Sequence, residues 1–294
     1  MMVIEGNERQ GGASHAVFRA VLLTPGSFVA FVLILFSLAL VLFLSLRVND
    51  GSLTGAGVTL ANYVTIATDP LYVMVALRSL VVAGLVTAAT VATAYPVAYF
   101  LAFHAGRHRG LILFLVTLPF WTSYLLRVFA WKVVLAYNGV LNSALVGSGL
   151  LSEPSLAFLN TPAAVVLTLA HAYAPFAILP IFVALDTMPR SLLEAAADLG
   201  AKPMTAFRRI VLPYSMPGVL SGALVVFVPT VGDYVTPALV GGPQSVMIGS
   251  LIQAQFGKAN DWPFGAALAV SVMGLILTLI LVARMVDRRY GSRQ

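Results

Sequence analysis

The sequence predicts an all-α membrane protein, a polytopic bundle of six transmembrane helices, and three observations carry that prediction. Of the 294 residues, 60% are hydrophobic and only 10% charged, against roughly 45–50% apolar and about 25% charged in soluble domains. Six runs are apolar over the ~20 residues that a helix needs to cross ~30 Å of hydrocarbon. These runs are too long and continuous for barrel strands, and only helices or closed barrels satisfy their backbone groups in lipid. An ordinary soluble enzyme is excluded.

The first span, Ser27–Leu46, follows an N-terminus, MMVIEGNERQ, with acidic residues and no early apolar run. It is longer than the ~7–15-residue core of a signal peptide, so it reads as an uncleaved helix. The second and third spans, Ser79–Phe103 and Leu111–Ala130, are separated by the short polar turn HAGRHRG. The fourth is Ala163–Ala184. The fifth, Pro217–Val231, is short, contains Pro229 and runs into Gly232-Asp233-Tyr234, and the sixth is Phe264–Ala283. The connections 47–78, 131–162 and 232–263 are long and rich in Gly, Asn, Ser and Pro.

The charge of +6 is explained by where the cations fall rather than by nucleic acid. With the N-terminus inside, the inner segments hold Arg9, Arg19, Arg107, Arg109, Arg190, Lys202, Arg208, Arg209, Arg284, Arg288, Arg289 and Arg293, twelve of the 17 Lys and Arg. Arg47, Arg78, Lys132 and Lys258 lie outside, and Arg127 lies in the third span. The positive-inside rule places both termini in the cytoplasm. The predicted organisation is a cytoplasmic segment 1–26, a membrane domain 27–283 and a cytoplasmic tail 284–294.

Chemistry is scarce. With no cysteine there is no disulfide framework, thiolate metal site or cysteine nucleophile. There is no H-E-x-x-H, and His15, His104, His108 and His171 are scattered; His104 and His108 sit beside Arg107 and Arg109 and read as a basic turn rather than a metal site. No metal and no cofactor is expected. An intramembrane aspartyl protease fails because Thr230 replaces the first glycine of G-x-G-D and no Tyr-Asp dipeptide supplies a second carboxylate. A rhomboid-like serine protease fails because Val146 replaces the first glycine before Gly147-Ser148-Gly149. No G-x-x-x-x-G-K-[ST] is present, so any ATP must be hydrolysed by another subunit.

The connection at about 185–216 has a helical pattern of its own. Ser191 and Glu194 have capping-box spacing, Leu192, Ala195, Ala196 and Leu199 form an apolar and small face, and Gly200 suits the left-handed position after a helix. Pro203 opens a second helix with Phe207, Ile210 and Val211 on its apolar side, before Pro213 leads to the fifth span. Such a hairpin either lies on anionic headgroups through Arg208 and Arg209 or docks in a protein groove, which its small residues favour.

The sequence Glu194-Ala195-Ala196, three residues, Gly200, nine residues, Ile210, one residue, Leu212-Pro213 resembles the EAA loop of binding-protein-dependent ABC importer permeases. That resemblance implies a type I importer permease fold and places the ATPase-coupling role on Glu194, Ala195, Ala196, Asp198, Leu199, Gly200, Ile210, Leu212 and Pro213. It implies a dimer of cytoplasmic ATPase subunits, a second permease, a periplasmic or lipid-anchored binding protein and membrane lipids as partners. The blocks PFWTSYLLRVFAWKVVL, NGVLN and VGDYVTPALVGGPQSVMIGSLIQAQFGKANDWPFGAALA look like the spermidine/putrescine permeases, of the first-permease type. Related systems for ferric iron, opines or phosphonates keep the architecture and change the cargo; a passive channel would need no such loop.

A polycation leaving water needs carboxylates and aromatic faces. Asp233 and Tyr234, at the break in the fifth span, and Trp121, Tyr124 and Trp131, at helical spacing in the third, are the candidates for a substrate pathway. Each also has a plainer reading: Asp233 as a helix cap or a partner of Arg127, and the aromatics as an interfacial belt. Glu153, Asp261 and Trp262 fall in outer loops, where a binding protein would dock.

Overall fold

The computed structural model describes residues 28–29, 31–51 and 57–291, the last ten as backbone. The segment 1–26 with Arg9 and Arg19, and Arg293 of the tail, lie outside the described residues, as do the side chains of Arg284, Arg288 and Arg289. The chain divides into two compact units, residues 66–258 and the described residues on either side.

In the flanking unit, α1 (Phe31–Ser45) is a short apolar helix ending against the first turn of α2 (Ala61–Thr68). The Tyr63 hydroxyl donates to Ser45 Oγ at 2.6 Å, and Asn62 Nδ2 donates to the Ser45 and Arg47 carbonyls at 3.3 and 3.0 Å. The Ser45 carbonyl, left without an intrahelical donor at the end of α1, is thereby satisfied. The last helix, α12 (Trp262–Gly291), is capped by Asp261, whose Oδ1 accepts from the Phe264 N–H at 3.0 Å.

The central unit is built on three long helices: α3 (Pro70–Phe103), α7 (Pro162–Asp186) and α10 (Leu212–Val231). Asp69 caps α3 by accepting from the Leu71 N–H, and Pro70 opens it, so the second span starts nine residues before the expected Ser79. Thr161 and Pro162 open α7 in the same way, close to the expected Ala163. The three helices meet through small residues: Ala83, Ala94, Ala98 and Ala177 are fully buried. On α10, Gly218 and Gly222 let the backbone approach α7 so closely that a Cβ at 218 would lie 2.6 Å from the Pro180 carbonyl oxygen, and one at 222 would lie 3.1 Å from Ala177 Cα. This is the small-x-x-x-small contact by which helices associate in lipid, where packing rather than water exclusion holds them. Buried Ser79, Thr90 and Thr230 hydroxyls donate to the carbonyls of Val75, Val86 and Val226, four residues back.

The expected third span is not continuous. Helix α4 (Arg109–Thr117) tightens into a 3₁₀ turn over Leu118–Trp121, and the backbone is extended at Thr122 and Ser123 before α5 (Tyr124–Leu135) begins. Pro119, which has no N–H and whose ring crowds the preceding turn, accounts for the break. The apolar stretch of spanning length is instead Tyr124–Gly147, itself turned at residues 136–139 before α6 (Val140–Gly147). Five helices among the described residues have the length and apolarity to cross a membrane, and α1 is a sixth, shorter one; six is therefore an approximate count. The architecture is all-helical, as expected.

Candidate functional site

Two groups of residues in the central unit bear on function, one at each end of α10. The first is the 185–216 connection. Met188, which is buried, and Pro189 turn the chain out of α7, and the Leu192 N–H donates to the Pro189 carbonyl at 3.2 Å. Helix α8 (Ser191–Asp198) therefore starts from Arg190, and no side chain caps it. The expected Ser191–Glu194 capping box does not form, because Ser191 is already the first helical residue. Gly200 has φ of +76°. Its N–H donates to Ala197 O at 2.8 Å and that of Ala201 to Ala196 O at 2.9 Å, a Schellman motif that requires the left-handed glycine. Gly200 has open space around its Cα, so nothing inside the chain forbids a larger side chain there except its backbone conformation.

Pro203 opens α9 (Pro203–Ala206), as expected. The chain then widens into a π-helical turn, Phe207–Val211, and continues into α10 without interruption. The second helix of the hairpin and the fifth span are thus one apolar helix, Pro203–Val231, with Pro213 inside its course. Val211 is buried, and Phe207 and Ile210 pack against the core of the bundle. The residues of the EAA pattern split by face: Glu194, Ala195, Asp198, Leu199, Gly200 and Pro213 are exposed, whereas Ala196 is buried and Ile210 and Leu212 are half-buried. Leu199 is 88% exposed, an apolar tip left largely uncovered by the described residues. Between the two helices runs a groove of about 310 Å³ with Leu192, Ala195, Leu199, Ala206 and Ile210 in its walls.

The second group surrounds the break after α10. Asp233 is 8% exposed. Its Oδ1 accepts from the Val235 N–H at 3.0 Å and its Oδ2 accepts from the Tyr124 hydroxyl at 2.8 Å. Thr236 Oγ1 lies 2.6 Å from the same hydroxyl. The carboxylate thus caps the segment that follows the break and ties it to α5. Sequence reasoning brought Asp233 and Tyr124 forward separately; the structure brings them together. It separates the others. Tyr234 is half-exposed and lines a distinct cavity of about 460 Å³ with Gly232, Gly249, Gln253 and Phe256. Trp121 is 81% exposed and precedes the extended residues 122–123, so it does not share a helical face with Tyr124 and Trp131.

The face of α5 that carries Tyr124 also carries Arg127 and Trp131. Trp131 Nε1 donates to His171 Nδ1 at 3.1 Å. The Arg127 guanidinium donates to the Ala172 carbonyl at 3.2 Å and stacks 4.4 Å over the Phe120 ring; its Nε is buried without a partner. No ion pair joins Arg127 to Asp233 among the described residues. Phe120 meets Phe176 edge-on at 4.8 Å. Residues on α7 are therefore part of this site, and sequence reading missed them because pairing between separate helices leaves no local pattern.

Residues 70–292 match binding-protein-dependent transport system inner membrane components. The chain belongs to that family. It is 38% identical over 244 residues, 83% of this chain and 85% of the relative, to the spermidine/putrescine transport system permease protein PotB of Haemophilus influenzae. It is 39% identical over 232 residues to PotB of Escherichia coli, covering 78% of this chain and 84% of that one. Among solved structures, a bacterial ABC transporter involved in import of the acidic polysaccharide alginate matches with a TM-score of 0.73 over 96% of this chain and 99% of that one, at 17% identity. At that identity the likeness establishes the shared fold of an importer's membrane subunit.

Proposed function

We propose that this chain is the first of two permease subunits of an ATP-driven, binding-protein-dependent polyamine importer in a bacterial inner membrane, with both termini cytoplasmic. The observation that carries the reading is the 38% identity to a spermidine/putrescine permease across 83% of the chain. The exposed half of the EAA pattern supports an ATPase partner: Leu199 and Ala195 beside a 310 Å³ groove form an apolar surface for a facing protein, with Glu194 and Asp198 at its rim. In this reading a pair of cytoplasmic ATPases closes on ATP and displaces the loop. The far end of the bundle then opens to a loaded binding protein, and hydrolysis resets the inward state.

Along the path, Asp233 offers lone pairs to an ammonium next to the Tyr124 ring and hydroxyl, and Tyr234 offers a second aromatic face. Trp121, exposed and off that face, is assigned to anchoring at the membrane interface. Asp261 caps α12, so its carboxylate is already engaged, and Glu153 remains on the outer surface for binding-protein contact.

The test is ATP hydrolysis by the complex reconstituted in lipid with its ATPase, partner permease and binding protein, with and without spermidine or putrescine. Stimulation by the loaded binding protein, lost in Gly200→Asp, is the expected result. Stimulation by another solute and none by polyamines would overturn the cargo and leave the importer reading standing.

A further inference from the structure

We propose that Arg190 is a positioning residue that grips the end of α3, and that α3 carries displacement of the 185–216 loop to the Asp233 break at the far end of the bundle. The proposal rests on the reading of that loop as the ATPase-coupling element and names the parts that would transmit its movement.

Both flanks of the loop hold the same stretch of α3. At the start, Arg190 Nη2 donates to the Ala102 carbonyl, one of the last-turn carbonyls that an α-helix leaves without a donor. The guanidinium lies 4.4 Å from the centroid of Phe103, and a cation at a helix C-terminus also meets the negative end of its dipole. At the far flank of the loop, Phe207 packs edge-on against Tyr95 and Tyr99, each at 5.9 Å. The Tyr95 hydroxyl lies 2.9 Å from Ser215 Oγ on α10. The loop is thus fastened at both ends to residues 95–103, while its tip at Leu199 is free.

From that grip α3 runs as one element of 34 residues. Ala94 and Ala98, on either side of Pro96, are fully buried, so both halves of the helix are held by the same packing. About 36 Å from Phe103, at 1.5 Å per residue, the buried Ser79 hydroxyl accepts from the Ile248 N–H at 2.8 Å. The next residue, Gly249, abuts the backbone of Gly232 and Asp233; a Cβ there would lie 3.0 Å from the Asp233 carbonyl oxygen. Packed interiors pass on displacement because they do not compress. Movement of Arg190 and Phe207 therefore reaches Asp233 through Ser79, Ile248 and Gly249.

The experiment uses the complete complex in liposomes and measures ATP hydrolysis and spermidine uptake in the same vesicles. Arg190→Ala should assemble with the ATPase in the wild-type ratio and keep hydrolysis within about twofold, while uptake per ATP falls at least fivefold. Arg190→Lys should recover half or more, because an ammonium still reaches the Ala102 carbonyl. Ser79→Ala, at the other end of the helix, should lower uptake per ATP in the same sense, and the double variant should fall no further than the worse single one. Uptake per ATP within twofold of wild type for Arg190→Ala overturns the proposal, as does failure of that variant to bind the ATPase, which would make Arg190 a docking residue. A wild-type complex that hydrolyses ATP without responding to loaded binding protein overturns the importer reading itself, and is distinguished by that control.

Discussion

Asp233 carries two roles that one pair of substitutions separates. Its carboxylate caps the segment after α10 through the Val235 N–H and accepts from Tyr124, and in the proposed pathway it also meets a substrate ammonium. In Asp233→Asn the amide oxygen can still accept from Val235, and the Tyr124 hydroxyl can donate to Thr236, 2.6 Å away, while accepting from the amide. The fold should lose no more than about 1 kcal/mol, the worth of an ordinary hydrogen bond. The charge, however, is gone. An ammonium facing an amide instead of a carboxylate loses about 1–1.5 kcal/mol of charge-assisted bonding, which is about tenfold in affinity. Tyr124→Phe does the reverse. It removes a donor to an ionised, nearly buried acceptor, at about 1.5–3 kcal/mol, yet leaves the carboxylate free for substrate. Thermal unfolding of the purified complex and uptake of spermidine at low concentration should therefore cross: Asp233→Asn stable and about tenfold slower, Tyr124→Phe less stable with uptake within about threefold. Normal uptake by Asp233→Asn refutes the pathway role and leaves a helix cap. A loss of stability in Asp233→Asn equal to that of Tyr124→Phe refutes the separation itself.

Gly200→Ala places a side chain at φ of +76°, a strain of about 1–2 kcal/mol confined to an exposed turn; melting of the complex should barely move while stimulation of ATP hydrolysis by loaded binding protein falls. Gly222→Leu forces bulk against Ala177 and Pro180, and overpacking of this kind costs about 1–3 kcal/mol or more, so recovery of the assembled complex from membranes should drop while Leu220→Ala, on the exposed face of the same helix, should not change it. Asn142 is buried and joins three backbone groups: Nδ2 donates to the carbonyls of Ala136 and Ser155, and Oδ1 accepts from the Ser155 N–H. Asn142→Ala should open the 136–155 loop, seen as faster proteolysis within that segment, and Asn142→Asp, which keeps only the acceptor, should be partly protected.

What the sequence disclosed and what it withheld follow a physical division. Helix starts and stops were legible where a single residue sets the backbone: Pro203 opens its helix and Gly200 turns at positive φ because proline and glycine act alone. The extent of apolar runs was legible for the fourth span, which begins one residue from its expected start. It misled where an apolar run hides a backbone break. Pro119 lay inside Leu111–Ala130, and reading that run by hydropathy alone joined Trp121 to Tyr124 across two extended residues. Asp69-Pro70 is a stronger start signal than the apolar pattern, but hydropathy does not register it. The carboxylate at 233 was legible as an ionisable group on a broken helix, but its partner was not. That Tyr124 sits opposite it, that Arg127 meets Ala172 and that Arg190 meets Ala102 are facts about helices far apart in the chain, and a single sequence carries no trace of such pairing.

The fold itself is silent on cargo. The same arrangement of helices, matched over 96% of this chain, occurs in an importer of an acidic polysaccharide, whereas the relatives at 38% and 39% identity carry the name of spermidine/putrescine permeases. On the proposed cargo, whatever discrimination the membrane subunit itself contributes resides in side chains rather than in the path of the backbone. Within the bundle of the central unit the charged candidates at the far end of α10 are few, Asp233 and Arg127. They are held differently. Asp233 shares its oxygens with one hydroxyl and one backbone N–H, and a carboxylate has room for about four hydrogen bonds. Arg127 is bound to a carbonyl and covered by an aromatic ring on α4's 3₁₀ extension. Both groups keep capacity to spare: the carboxylate has lone pairs beyond those used by Tyr124 and Val235, and Arg127 Nε is buried without a partner. In the pathway proposed above, Asp233 sets the preference for cations and Arg127 holds the α5–α7 contact. Arg127→Ala should therefore weaken the α5–α7 junction without admitting anionic solutes, and a variant that gained uptake of an anion would show that the guanidinium, rather than Asp233, sets the sign of the cargo.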